Sequence, residues 1–87
     1  MAQESSALVP LYGFVEGDTI GLLVLAREDD TVSALADMLQ ASASVRVPKR
    51  ARVRVLYGDR VLDPHSTVRE IGMQALDRFD VVPPEDA

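Results

Sequence analysis

Apolar and polar positions alternate with two different periods along this chain, and the changes of period divide it into elements. Residues 8–15, LVPLYGFV, read as a strand, with Pro10 and Gly13 as its weak points; proline lacks a ladder donor and sits best near a strand start or edge. Glu16-Gly17-Asp18 forms a turn, and residues 19–27, TIGLLVLAR, return as the second arm of a hairpin. Apolar residues then fall at Val32, Leu35, Ala36, Leu39 and Ala43, which is the spacing of one buried helical face. Asp30 is the expected N-cap, its carboxylate accepting from amides of the first turn. Glu28 and Asp29 add negative charge at the positive end of the helix. The helix is expected to fade near Ala43-Ser44, and Pro48 bars its continuation.

Period two resumes at residues 51–57, ARVRVLY. Val53, Val55 and Tyr57 share one face; Arg52, Arg54 and Leu56 share the other. Gly58-Asp59 turns the chain into a short strand, Arg60-Val61-Leu62, and Asp63-Pro64-His65-Ser66 is a loop. Thr67 caps a short helical turn through Val68 and Ile71 that Gly72 stops. Residues 78–82, RFDVV, form a last strand with Phe79 and Val81 inward and Arg78, Asp80 and Val82 outward. Residues 1–7 read as a disordered lead, residues 8–84 as a single domain, and residues 85–87 as a polar tail. The order strand, strand, helix, strand, short strand, helical turn, strand predicts an α+β fold of β-grasp layout. It is a mixed sheet with one main helix packed on one face, and the other face is left open.

Composition adds limits. With 87 residues the chain makes one domain with a modest core. It has no cysteine, hence no disulfide framework or thiolate metal site, which fits a cytoplasmic location. The start Met1-Ala2-Gln3-Glu4 has neither a basic nor an apolar run, so no signal peptide is expected. No apolar stretch is long enough to span a membrane. Net charge is −5, which disfavours nucleic acid as a partner. The charge is unevenly spread. Residues 46–60 hold six bases against Asp59 alone, a net +5 that leaves −10 for the remainder. This band is a solvated strand with charged edges or a docking stripe for an acidic protein surface.

Catalytic candidates are few. The single histidine, His65, lies in a loop and reads as an ordinary polar residue. Asp29-Asp30, and Asp77 with Asp80, are carboxylate pairs without the six or more oxygens at loop spacing that a hard cation needs. No nucleophile, base and orienting acid stand in a recognisable pattern. Binding to another protein is the function that remains. The second strand sharpens this expectation, because Ile20, Leu22 and Val24 on one face and Leu23 and Leu25 on the other are all apolar. Periodicity does not choose the inward side, and the outer one is expected to be covered by a partner or, alternatively, by the N-terminal lead or a loop. The partner-facing set assigned from sequence is Leu22, Val24, Arg52, Arg54, Leu56 and Val82, with Leu56 and Val82 forming a small apolar centre on the open face.

The stretch LYGDRVLDPHSTVREIGMQALDRFDVV resembles the C-terminal half of ubiquitin. Ubiquitin-like modifiers end in a Gly-Gly carboxyl terminus, whereas this chain ends Pro83-Pro84-Glu85-Asp86-Ala87, so neither conjugation nor sulfur carriage is expected. A broader resemblance, over about residues 8–84, is to the γ subunits of bacterial soluble di-iron monooxygenases. These form the toluene-4-monooxygenase system protein B family, with relatives in alkene and isoprene monooxygenases. LVPLYGFVEGD, EDDTVSALAD, SVRVPKRARVRV and GMQALDRFDVV carry it. The resemblance implies a non-catalytic subunit of a hydrocarbon-oxidising hydroxylase. Its partners would be a large α subunit holding two iron ions in a four-helix bundle and a β subunit. It implies no cofactor and no catalytic residue in this chain. The alternative is a free ubiquitin-like adaptor of the kind linked to type VII secretion, which shares the fold; the N-terminal third favours the monooxygenase group.

Overall fold

The computed structural model describes residues 7–84. Five strands and two helices follow in the expected order: β1 (Leu8–Val15), β2 (Leu22–Arg27), α1 (Val32–Ala43), β3 (Arg54–Tyr57), β4 (Arg60–Val61), α2 (Val68–Ile71) and β5 (Arg78–Val82). The sheet runs β2-β1-β5-β3-β4. The central pair, β1 with β5, is parallel and the others are antiparallel, so the sheet is mixed and the fold is a ubiquitin-like β-grasp. The second strand begins at Leu22 rather than residue 19, and the third at Arg54 rather than residue 51. Ala7, assigned to the lead, already accepts the Glu28 N–H through its carbonyl at 3.1 Å. The rest of the lead, residues 1–6, and the tail, residues 85–87, lie outside the described residues.

The core is the helix stripe pressed on the inward sheet positions. Val32, Leu35, Ala36, Leu39 and Ala43 are buried, as are Leu11, Val15, Val24, Val55, Phe79 and Val81. Gly13 allows the close approach: a Cβ there would stand 2.7 Å from Leu39 Cδ2 and 2.9 Å from Phe79 Cζ. The helix can lie this near β1 only where the strand has no side chain on its inner face.

The N-cap of α1 is Thr31, not Asp30. Its backbone is extended and its hydroxyl accepts from the Ala34 amide at 3.1 Å. Asp30 instead closes the preceding turn, its carboxylate accepting the Arg27 N–H at 2.8 Å. Thr67 caps α2 in a full capping box with Glu70, and Gly72 ends it in the left-handed conformation. The two helix starts also satisfy each other's segments. Val32 and Ser33 amides donate to the carbonyls of Ser66 and Pro64, at 2.8 and 3.0 Å. Val68 and Arg69 amides donate to those of Asp30 and Glu28, both at 2.9 Å. Each helix start leaves orphan donors, and here the loop before one helix supplies the acceptors for the other.

Candidate functional site

One helix covers one side of a five-stranded sheet, so the side chains on the other side decide what the molecule offers to a partner. Direct cross-strand partners share a face. The pairs Tyr12↔Leu23 and Pro10↔Leu25, with Leu8 at the end of the ladder, therefore place five apolar residues together on the open side of β1 and β2. Leu23 is 54% exposed, Leu25 61% and Tyr12 44%. Leu76 adjoins them just before β5: it is 59% exposed, and its amide donates to the Pro10 carbonyl at 2.6 Å.

This corrects the reading of β2. Val24 is 5% exposed and faces the helix, and Leu22 is half-buried against the core. Neither is free to meet a partner on the open face, and the outward pair is Leu23 and Leu25. Both faces of β2 are apolar in sequence, so only the cross-strand register, which sets Ala26 and Val24 opposite the buried Val9 and Leu11, fixes which side is inside.

Towards the middle the face becomes charged. Arg78 lies over the Phe14 ring, 4.0 Å from its centroid, and its guanidinium donates twice to Asp80, at 3.0 Å each. Phe14 in turn is seated against Gly21, where a Cβ would come within 2.4 Å of the ring. Beyond this, β3 contributes Arg54 opposite Val82 and Leu56 opposite Asp80. Leu56 and Val82 are therefore diagonal neighbours, both half-buried. A shallow depression of about 320 Å³ lies among Leu56, Gly58, Arg78 and Asp80. Arg54 Nε donates to the Pro83 carbonyl at 3.0 Å, and Arg52, just outside the strand, is exposed. The face thus has an apolar end, a charged centre and a smaller mixed end. The sequence reading placed partner contacts at the mixed end and on β2, but on the wrong face of β2, at Leu22 and Val24.

The basic band is partly drawn into the fold. Arg46 holds Asp18 through three hydrogen bonds of 2.9, 2.9 and 3.2 Å. Those bonds, more than any other influence, keep the Asp18 carboxyl below its usual range. The backbone N–H of Arg50 donates to Gln40 Oε1 at 2.8 Å, and Arg50 NH1 donates to the Glu16 carbonyl at 3.3 Å. Tyr57 donates its hydroxyl to Asp77, which also accepts the Gln74 N–H. The shared proton raises the tyrosine and lowers the carboxyl from their ordinary values.

Among the described residues no three His, Cys, Asp or Glu side chains converge as ligands for a metal ion. His65 is exposed, with its N–H donating to Asp63 at 2.9 Å. A di-iron centre does not fit the donors that the described residues present.

The family model described as toluene-4-monooxygenase system protein B (TmoB) matches residues 8–82. The chain belongs to the TmoB family. It is a small component of a monooxygenase system. A chain in the solved complex titled toluene 4 monooxygenase HD with the inhibitor 4-bromobenzoate superimposes with a TM-score of 0.81 at 21% identity, covering 90% of this chain and all of that one. The ubiquitin of Caldiarchaeum subterraneum gives 0.73 at 19% identity, covering 90% of this chain and 95% of that one. A designed protein based on ubiquitin gives 0.71 at 22%, covering 85% of each chain. At these identities the likenesses establish the ubiquitin-like fold. No match was found among the curated proteins. Within the TmoB fold, no helix of the described residues is long and apolar enough to cross a membrane.

Proposed function

We propose that this chain is the small, non-catalytic γ subunit of a cytoplasmic di-iron hydrocarbon monooxygenase. It docks on the large α subunit, alongside β, through the open face of its sheet. Family membership over residues 8–82 carries the assignment. The face itself supports the mode. Its apolar end, formed by Tyr12, Leu23, Leu25 and Leu76, followed by the charged Arg78–Asp80 pair, has the anatomy of an apolar interface centre with a polar surround. The iron ions belong to the large subunit in this reading, and this chain contributes no ligand to them. Its contribution is to cover an apolar surface on that subunit and hold it in an assembled form.

Expressing the neighbouring large subunit with and without this chain tests the reading. Soluble yield and assembled complex, by size-exclusion chromatography, fall sharply without it, while iron content and turnover per assembled hydroxylase stay with the large subunit. A large subunit equally soluble, iron-loaded and active alone would overturn the proposal and leave a free ubiquitin-like adaptor as the better account.

A further inference from the structure

A second hollow lies on the opposite side of the sheet, where α1 stands over β3 and the segment leading into it. It is a trough of about 350 Å³. Its helix wall runs from Ser33 to Gln40, about 10 Å at 1.5 Å per residue, which matches about three residues of extended chain. Val32, Ala36 and Leu62 make an apolar floor. The opposite wall is held in place by Gln40, whose amide clasps the Arg50 backbone in both directions, at 2.8 and 3.1 Å. The trough is therefore formed before anything enters it. It is also flanked by open sheet edge: β4 pairs with β3 only at Leu56 and Tyr57, and Leu62 adds one N–H to the Val55 carbonyl.

Charge selects the occupant. Lys49 and Arg50 line the trough against one acid, Asp37, on a chain whose net charge is −5. We propose that this trough docks an extended acidic segment of another protein, one aliphatic side chain resting on the apolar floor and flanking carboxylates set against Lys49 and Arg50. A small ligand would need convergent polar groups. Here the Gln40 amide is already committed to Arg50, and none of the described buried side-chain polar atoms lacks a partner. The site shares no residue with the apolar end of the open face, so the two docking modes stand or fall separately.

Fluorescence anisotropy of the whole chain with the labelled peptide EELVEE, at low ionic strength, tests this. Binding is expected to saturate. Lys49→Glu weakens it and Asp37→Lys tightens it, each by roughly threefold or more. Amide shifts in NMR gather at Ser33, Ala36, Val53 and Leu62. Both substitutions are on the surface, and unchanged melting curves confirm that they fold. The proposal is overturned by absent binding, by affinities indifferent to both charge changes, or by equal binding of EEGGEE or oligothymidylate. Shifts that map instead to Tyr12 and Leu23 overturn it as well.

Discussion

Leu76 has a backbone φ of 69°, in the left-handed region that a side chain with a Cβ seldom occupies. It is also among the most exposed large apolar residues. Its amide is held by the Pro10 carbonyl, but its side chain gains little from the isolated fold, which is the situation expected where a partner supplies the compensation. The ordinary order of substitution should therefore reverse here: Leu76→Gly should be more stable than Leu76→Ala by about 1 kcal/mol. Urea unfolding of the two variants checks it, and an alanine variant as stable as the glycine one would show that the positive φ is not kept. Gly13 makes the opposite case. A methyl group there meets Leu39 and Phe79, so Gly13→Ala should cost about 1–3 kcal/mol through overpacking. Ionisation adds a pH window. Asp18 and Asp77 both have lowered folded values, so the unfolded chain takes up their protons first. The stability they give is present above the ordinary carboxylate range and is lost as pH falls through the lower folded values, below about 4. Tyr57 is raised, so its contribution is present below its ordinary value and is lost as pH climbs through the folded one, above about 10. Urea midpoints measured across pH should fall at both ends, and Tyr57→Phe should remove the tyrosine's share of the alkaline fall.

At the scale of elements, α1 was legible because its signal is redundant: five apolar positions at helical spacing fix the buried stripe, and all five are buried. Leu35→Ala should accordingly cost about 2–4 kcal/mol, seen as a shift in the denaturation midpoint. The cap was misplaced by one residue because Asp30 and Thr31 are both good capping residues; only the backbone shows that the Asp30 carboxylate is occupied by the Arg27 amide. Thr31→Ala should thus destabilise by about 1 kcal/mol, while Asp30→Ala opens only the turn. The mutual capping of α1 and α2 joins residues more than thirty apart in the chain through backbone carbonyls, which carry no sequence signature. The late starts of β2 and β3 have a related cause. Alternation marks residues that could pair, but the ladders begin only at Leu22, opposite Gly13, and at Arg54, opposite Val82, after which Pro83 and Pro84 have no N–H to give β3.

For the whole molecule, the proposed docking through the open face leads to the question of which part of that face would carry it. The sequence favoured the Leu56–Val82 end, because alternation in β3 and β5 is clean and those two residues are the apolar ones among charged neighbours. It could not resolve β2, where both faces are apolar, and so assigned Leu22 and Val24 to the partner although Leu23 and Leu25 are the pair that faces outward. Exposure now ranks the two ends. Leu56 and Val82 are half-buried and placed beside the Arg78–Asp80 pair, whereas Leu23 and Leu25 are more than half exposed and backed by Tyr12 and Pro10. Binding energy concentrates where large apolar side chains become fully desolvated, and the more exposed pair has more surface left to bury. The double change Leu23→Asp with Leu25→Asp should weaken the complex with the large subunit by at least about 2 kcal/mol. The change Leu56→Asp with Val82→Asp should cost clearly less. Both pairs face outward, so circular dichroism melts of the isolated variants should stay close to the parent. Titration calorimetry against the purified large subunit reads the difference. A larger loss from Leu56 and Val82 would return the interface centre to the β3–β5 end and leave the apolar β1–β2 strip to another partner.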